Sequence, residues 1–452
     1  MKIGLEIHVQ LPTRSKMFCA CPTDGVSPNS AICPTCLGMP GARPSLNRSA
    51  LEMGLRLAKL YDCKIPDRTW FSRKTYFYPD LAKHFQVTQY DNPVGEYGVF
   101  DFRGKSIRIR RVHLEEDPGR IKRVGRQGEE MSLVDYNRSG IPLVEIVTEP
   151  DLSNPAEARQ FLSDMLTEIR HTIGLSDEDE QSVRVDCNIS VGIERVEVKN
   201  VTGLRNMERA LKYEVVRQTK MLRSKKPIVR ETRRFDEERK VTLPARKKEF
   251  EEDYGYIGEP DLGVYNIRAI AESLDEKESP LARAKRLCEE YGMTEGTSRQ
   301  LINTSMSLCD LFEEMAAAAG TKASLYLVTD VISSNWSRIK DVLDKDMRAE
   351  IIEVAQRYSD GTVNDLEARR RLRALFSEEE VADTGSAVKG DPKVLEDAVE
   401  KAVAANPGIF EDYAKNERAA NRLIGDVIKT TNGAFSSQEI VIKVKERLER
   451  DL

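Results

Sequence analysis

The chain has 452 residues, with 70 Lys+Arg against 75 Asp+Glu, a formal net charge of −5, and 40% apolar and 32% charged residues. At roughly 100–200 residues per domain that length implies two to four domains of ordinary globular composition. This excludes collagen-like, disordered and wholly basic nucleic-acid-coating classes, but not local basic patches. No apolar run approaches the ~18 residues of a membrane helix. The opening residues read as a strand and not as a signal peptide, so a cytoplasmic protein is expected.

In chain order, Ile3, Leu5, Ile7, Val9 and Leu11 alternate with Gly4, Glu6, His8 and Gln10. That period of two predicts a strand with one polar face. Next come two close cysteine pairs, Cys19-Ala-Cys21 and Cys33-Pro-Thr-Cys36, half of the eight cysteines in the chain. Two pairs of this spacing suit a closed tetrahedral thiolate site for structural Zn²⁺, whereas a redox Cys-X-X-Cys does not usually bring a partner pair. Cys63, Cys187, Cys288 and Cys309 sit in apolar patterns and read as core. Between Arg103 and Arg126 there are nine Lys/Arg against three acids, and this run contains His113-Leu-Glu-Glu-Asp117. Glu145 interrupts the apolar run Pro142-Leu-Val-Glu-Ile-Val147. Asn154-Pro155 opens a helix over 154–173, with Asn as cap and Pro in the first turn. Strands around Val183–Val191 and Val196–Val198 predict a hairpin carrying Asp186, Glu197 and Lys199 on one face. A helix over 204–222 leads into a second basic patch, with thirteen Lys/Arg against four acids from Arg217 to Lys248.

After about residue 266 the pattern turns helical, with expected helices over 271–291, 297–319, 324–340 and 347–358. A Gly/Ser/Asp-rich linker at 383–391 precedes three more, over 392–405, 408–431 and 437–452. The reading is α+β: a mainly antiparallel-sheet domain over 1–265, an all-α helical domain over 266–383 and a small helical tail over 384–452.

Glu6 and His8 lie ~7 Å apart on one strand face. Carboxylates with at most one imidazole suit Mg²⁺ or Mn²⁺, and such a cluster beside basic segments is the equipment of phosphoryl transfer. The plainer alternative is a set of solvent-facing strand residues. There is no GxxxxGK[ST] loop, no kinase-type GxGxxG, no GxSxG and no conspicuous Cys–His nucleophile pair. Hydrolysis of an amide by this chain alone is therefore not expected.

Nine motifs in one order carry a family resemblance. They are Gly4-Leu-Glu-Ile-His-Val9, Lys74-Thr-Tyr-Phe-Tyr-Pro-Asp80, His113–Asp117, Ser132-Leu-Val-Asp-Tyr-Asn-Arg138 and Pro142–Pro150, then Arg184-Val-Asp-Cys-Asn188, Glu197-Val-Lys-Asn200, Glu231-Thr-Arg-Arg-Phe-Asp236 and Glu259-Pro-Asp-Leu262. Over essentially its whole length the chain resembles the B subunits of the aspartyl/glutamyl-tRNA amidotransferases. The resemblance implies an ATP-dependent ligase component of a heterotrimer. Such a component phosphorylates the side-chain carboxylate of mischarged Asp-tRNA(Asn) or Glu-tRNA(Gln), then amidates it with ammonia. The ammonia would come from a glutaminase partner, the A component, and a small C component would complete the assembly. The resemblance implies Glu6, His8, Glu116, Glu145, Asp186 and Glu197 as Mg²⁺ ligands, with Glu6, His8 and Glu116 foremost. Lys74 and Lys83 would line the phosphate or ammonia path, Asp117 would assist the incoming amine, and Lys199 and Arg233 would contact phosphate. Cys19, Cys21, Cys33 and Cys36 would form a structural Zn²⁺ knuckle. Residues 1–265 would be the catalytic cradle, and tail residues Lys415, Arg418, Arg422, Lys429 and Lys443 would touch tRNA phosphates. The chain departs from the family at His84-Phe85, where a Gly/Ala–Tyr pair is usual, and at Gly255 and Gly258, where Arg and Pro are usual.

Overall fold

The computed structural model describes residues 1–25, 27–125, 131–175, 182–247, 255–275, 278–377, 392–410, 413, 416, 419–431, 435 and 437–450. The expected linker at 383–391 and the residues Lys415 and Arg418 lie outside these. The chain divides into two compact units, Met1–Ser279 and Pro280–Leu452.

The first unit is built on strands β1 (Lys2–Gln10), β2 (Arg68–Thr69), β3 (Ser72–Thr75), β4 (Phe85–Thr88), β5 (Gly95–Phe102), β6 (Lys105–Glu116), β7 (Arg120–Val124) and β8 (Met131–Asp135). They continue as β9 (Pro142–Thr148), β10 (Val183–Ser190), β11 (Val196–Val201), β12 (Glu231–Asp236), β13 (Val241–Lys247), β14 (Gly255–Gly258) and β15 (Tyr265–Asn266). One sheet runs β13-β12-β11-β10-β1-β9-β6-β4-β3-β14, with β5 paired to β6. Every pairing in it is antiparallel except β11 with β12. That parallel pair is joined through α4 (Leu204–Arg223), as a crossover connection requires. The small ribbons β7–β8 and β2–β15 stand apart.

The alternation of β1 decides which face is which. Ile3, Leu5, Ile7 and Val9 are 0% exposed. Helices α2 (Arg48–Leu60), α3 (Pro155–Ile173) and α4 pack on strands of this sheet or on one another and help cover its apolar side. Asn47 caps α2 by accepting from the Ala50 amide at 3.2 Å, and Asn154 caps α3 by accepting from the Glu157 amide at 2.9 Å. Gly54 is required where α2 crosses β6, since a Cβ there would lie 2.9 Å from Leu114 Cδ2.

Among the described residues of the second unit, helices span Pro280–Tyr291 (α6), Glu295–Thr304 (α7), Met306–Ala319 (α8), Thr321–Leu327 (α9), Ser333–Ile339 (α10), Lys345–Ser359 (α11) and Asp365–Ser377 (α12). They surround a core containing Leu308, Phe312, Met315 and Trp336. A separate core of Leu423, Val427, Val444 and Leu448 joins α13 (Pro392–Ala404), α14 (Ala420–Thr430) and α15 (Ser437–Arg450). Three expected helices prove composite. The stretch 297–319 is α7 and α8, parted at Ser305, whose extended backbone ends the first and whose side chain caps the second by accepting from the Ser307 amide. The stretch 271–291 is α5 (Arg268–Ser273) and α6, because Pro280 starts a new helix and disfavours helical geometry at Ser279. The stretch 324–340 is interrupted by a π-turn at Val328–Ile332.

One buried ionic contact pins α4 to the sheet. Glu214, 0% exposed, lies 3.1 Å from Arg233 Nε and 2.8 Å from the Arg217 guanidinium, and it accepts a hydrogen bond from Thr242 on β13. Truncating one partner of such a pair leaves a buried charge uncompensated. Glu214→Ala is therefore expected to lower the unfolding free energy of the first unit by about 3 kcal/mol, read as a lower urea midpoint with unchanged slope.

Candidate active site

The polar face of the sheet forms the floor of a cavity of about 1510 Å³. Cross-strand register assembles that floor. Glu6 on β1 stands opposite Asp186 on β10, and His8 stands opposite both Glu145 on β9 and Arg184 on β10. His113 on β6 also faces Glu145. On the other flank Asn188 faces Glu197 on β11, which faces Thr232 on β12. Residues opposite one another across strands have neighbouring side chains, so acids from five strands come together.

Two groups of donor atoms result, each within 4.8 Å: His8, Glu115 and Glu145, and Glu6, Asp186 and Glu197. In the first, Glu145 lies 3.4 Å from His8 Nε2 and 3.2 Å from His113 Nε2. Burial pulls the His8 imidazole down, but the charge and hydrogen bond of Glu145, with Asp186 and Glu115 beyond, push it up to about 9. Burial would raise Glu145, yet His113 and His8 on either side hold it well below the usual carboxylate range. In the second group Asn188 Nδ2 donates to Glu6 at 2.7 Å, and Lys199 lies 3.6 Å from Asp186 and 3.8 Å from Glu197. Thr232 donates to Glu197 at 2.9 Å. Burial, and then the charges of Glu145, Asp186 and Glu197, raise Glu6 against the opposing pull of Lys199. A crowd of carboxylates held at that cost is relieved by a divalent cation, and both donor sets match hard oxygen-preferring ions.

The expected residues divide between two faces. Glu6, His8, Glu145, Asp186, Glu197, Lys199, Lys74 and Asp117 all line the cavity. Asp117 is tied to Arg184 at 2.7 Å and to Gln10 at 2.6 Å. Glu116 does not join them, and the expectation that it ligates a metal beside Glu6 and His8 is corrected. It points to the opposite side of β6 and pairs with Lys83, accepting also from the Val87 amide at 2.9 Å. Period-two alternation gives the reason: Val112 and Leu114 are buried on that side, so Glu116 follows them while His113 and Glu115 face the cavity. Lys83 likewise lines a separate cavity of about 230 Å³ together with Glu116, Lys16 and Cys36. Arg233 is more tightly held than the resemblance implies. It borders the large cavity, but its guanidinium is engaged by Glu214, Glu231 at 2.9 Å and the Thr242 carbonyl at 2.8 Å. The adjacent Arg234, opposite Lys199 in register, also lines the cavity. Glu115 and His113 are the residues that sequence reasoning missed; continuing the alternation through Val112 and Leu114 finds both.

Next to the smaller cavity, ligand atoms of Cys19, Cys21, Cys33 and Cys36 lie within 4.8 Å of one another. A hydrogen bond from Cys19, aided by the Cys33 amide and the charge of Lys16, pulls the Cys36 thiol down to about 4. A thiolate at neutral pH is the form that binds metal. Lys16 is 0% exposed, with Nζ 3.7 Å from Cys36 Sγ and 3.3 Å from the Tyr136 carbonyl. All four thiols fit a closed tetrahedral site. Among the described residues no helix is long and apolar enough to cross a membrane.

Residues 1–272 match the GatB/GatE catalytic domain, and residues 310–448 match the GatB domain. Similar curated proteins include the B subunit of the aspartyl/glutamyl-tRNA(Asn/Gln) amidotransferase of Methanospirillum hungatei JF-1, 39% identical over 99% of this chain and 98% of the relative. The protein of the same name from Methanothermobacter thermautotrophicus is 39% identical over 99% of this chain and 100% of the relative. That from Methanocaldococcus jannaschii is 37% identical over 100% and 98%. The polar cavity therefore belongs to a chain of known kinship: it is a member of the GatB family of amidotransferase B subunits.

Proposed function

We propose that this chain is the ATP-dependent, carbon–nitrogen-ligase component of a tRNA-dependent amidotransferase, converting Asp-tRNA(Asn) or Glu-tRNA(Gln) to the amide in the cytoplasm. The observation that carries the reading is the pair of donor triads on one sheet face, bordered by Lys199, Arg184 and Arg234. The substrate carboxylate oxygen attacks the γ-phosphorus of ATP and the bond to ADP breaks. Ammonia then attacks the acyl carbon, and phosphate leaves with the bonding pair as the nitrogen loses a proton. A carboxylate is a poor acyl donor, and phosphorylation supplies the leaving group.

Bound at the two triads, Mg²⁺ or Mn²⁺ would neutralise phosphate charge and align the reacting oxygens. The chain's own residues do the remainder. His113 holds Glu145 in place, Asn188 and Thr232 orient Glu6 and Glu197, and Lys199 offsets the charge of Asp186 and Glu197. Asp117, buried between Arg184 and Arg138, would take a proton from the incoming amine. Lys74, which lines the large cavity, would contact phosphate, and Lys83 and Glu116, which line the smaller one on the other side of β6, would lie along the path of ammonia from the glutaminase partner. A third, small component completes the heterotrimer. The helical domain and the tail, the latter through Arg422, Lys429 and Lys443, would hold tRNA by its backbone. Zn²⁺ would close the four-cysteine knuckle as a structural ion.

In the assembled complex, Glu6→Gln, His8→Ala and Glu115→Gln are each expected to abolish tRNA-dependent ADP formation. Glu116→Gln is expected to keep ADP formation within about threefold of the parent while amide formation falls at least tenfold, a loss of ~1.4 kcal/mol or more. Rapid-quench detection of ADP and amide separates the steps, and normal ADP formation by Glu6→Gln and His8→Ala would overturn the metal assignment. Metal analysis is expected to find about one zinc per chain, lost in Cys36→Ser; an unaltered zinc content in that variant would remove the knuckle. Amidation assays with both mischarged tRNAs identify the substrate. Absence of amidation by the complete complex with either would overturn the function.

A further inference from the structure

The cavity has an aromatic mouth that its carboxylates do not explain. Phe77 lines the cavity and is 82% exposed. A phenyl ring left in water forgoes the stabilisation that burial would give it. Seven residues on, the same loop carries His84 at φ +61°, a left-handed conformation that is strained for a non-glycine residue. The two rings meet, with centroids 5.8 Å apart and planes tilted by 52°. An exposed ring and a strained backbone are thus held together where neither adds to the core, and strain kept at a cavity mouth points to use. The same cavity is lined by Tyr90 stacked on Tyr256, at 3.9 Å and 16°, and by Arg110 and Arg234. A flat apolar ring open to solvent, cationic side chains and a carboxylate floor match the three parts of a nucleotide with its cation: base, phosphates and metal.

We propose that Phe77, backed by His84, is the stacking platform for a purine base whose nucleotide carries its reacting end, γ-phosphate or aminoacyl ester, to the polar floor. This rests on the function proposed above. The base is adenine, and it has two sources, ATP and the terminal adenosine of the acceptor strand; the experiment distinguishes them.

Phe77→Trp in the assembled complex places a fluorescent ring at the platform. Titration with ATP and, separately, with the trinucleotide cytidylyl-cytidylyl-adenosine is expected to quench the introduced indole with one of the two, which names the source. UTP and the trinucleotide ending in uridine are expected to quench much less. In turnover, Phe77→Ala is expected to raise KM about tenfold for the matching substrate alone, in line with the loss of one base–aromatic stack. Its kcat should change less than threefold, and Phe77→Tyr should restore KM. The proposal is overturned if neither probe quenches, or if Phe77→Ala leaves both KM values unchanged. It is equally overturned if Phe77→Ala instead dissociates the complex on gel filtration, which would make the ring a protein-docking surface. Quenching is read without turnover, so failure of the amidation reaction and failure of the platform are separate results.

Discussion

The structure depends on the pleat of a single strand. β1 lies between β9 and β10, so Glu6 to Val9 are paired on both sides, and its two faces cannot exchange character without a slip in register. Ile3, Leu5, Ile7 and Val9 commit one face to the core. Glu6 and His8 are thereby forced onto the other, where β9, β10 and β11 supply further acids at matching heights. The carboxylates are crowded by geometry first, and their cation-seeking character follows from that crowding. Two histidines and a lysine offset only part of the charge, which is why Glu6 rises while Glu145, caught between two imidazoles, falls.

The consecutive acids Glu115 and Glu116 show how sharply the sheet divides its work. One residue of offset sends Glu115 into the large cavity with His8 and sends Glu116 through to Lys83, beside the cysteine knuckle. The two cavities thus share a wall one strand thick. Chemistry that must keep an incoming neutral nucleophile apart from a phosphorylated electrophile is well served by such a wall, because a side chain on either face can respond without moving the other.

Much of this is legible in the residue order. The alternation of β1, the Asn154 cap, the hairpin of β10 and β11 and the cysteine spacing each follow from local rules, and the α+β class with its helical second half follows from the change in periodicity. What is not legible depends on register and tertiary partners. Reading His113–Asp117 as a block of acids puts Glu116 with Glu6, whereas the alternating strand separates them. Arg233 looks like a free cation within a basic run; only the packing of α4, which brings Glu214 beneath it, shows that its charge is spoken for. The helix expected over 271–291 breaks at Pro280. The role of Gly255 and Gly258, departures from the usual family residues, also needs coordinates: they bracket β14, whose Tyr256 faces Lys74 and stacks on Tyr90.

The placement of β14 has a consequence for biosynthesis. It pairs with β3, and Gly255 aligns with Thr75 although most of the first unit is translated between them. A strand arriving that late closes a long loop, the slow kind of contact in folding. On the ribosome the acidic floor can therefore assemble while its lateral wall is still missing, and the nascent chain presents β3 as an open edge until residue 258 has cleared the exit tunnel. Open edges invite mispairing, and the edge of β3 stays exposed from its own synthesis until that of β14.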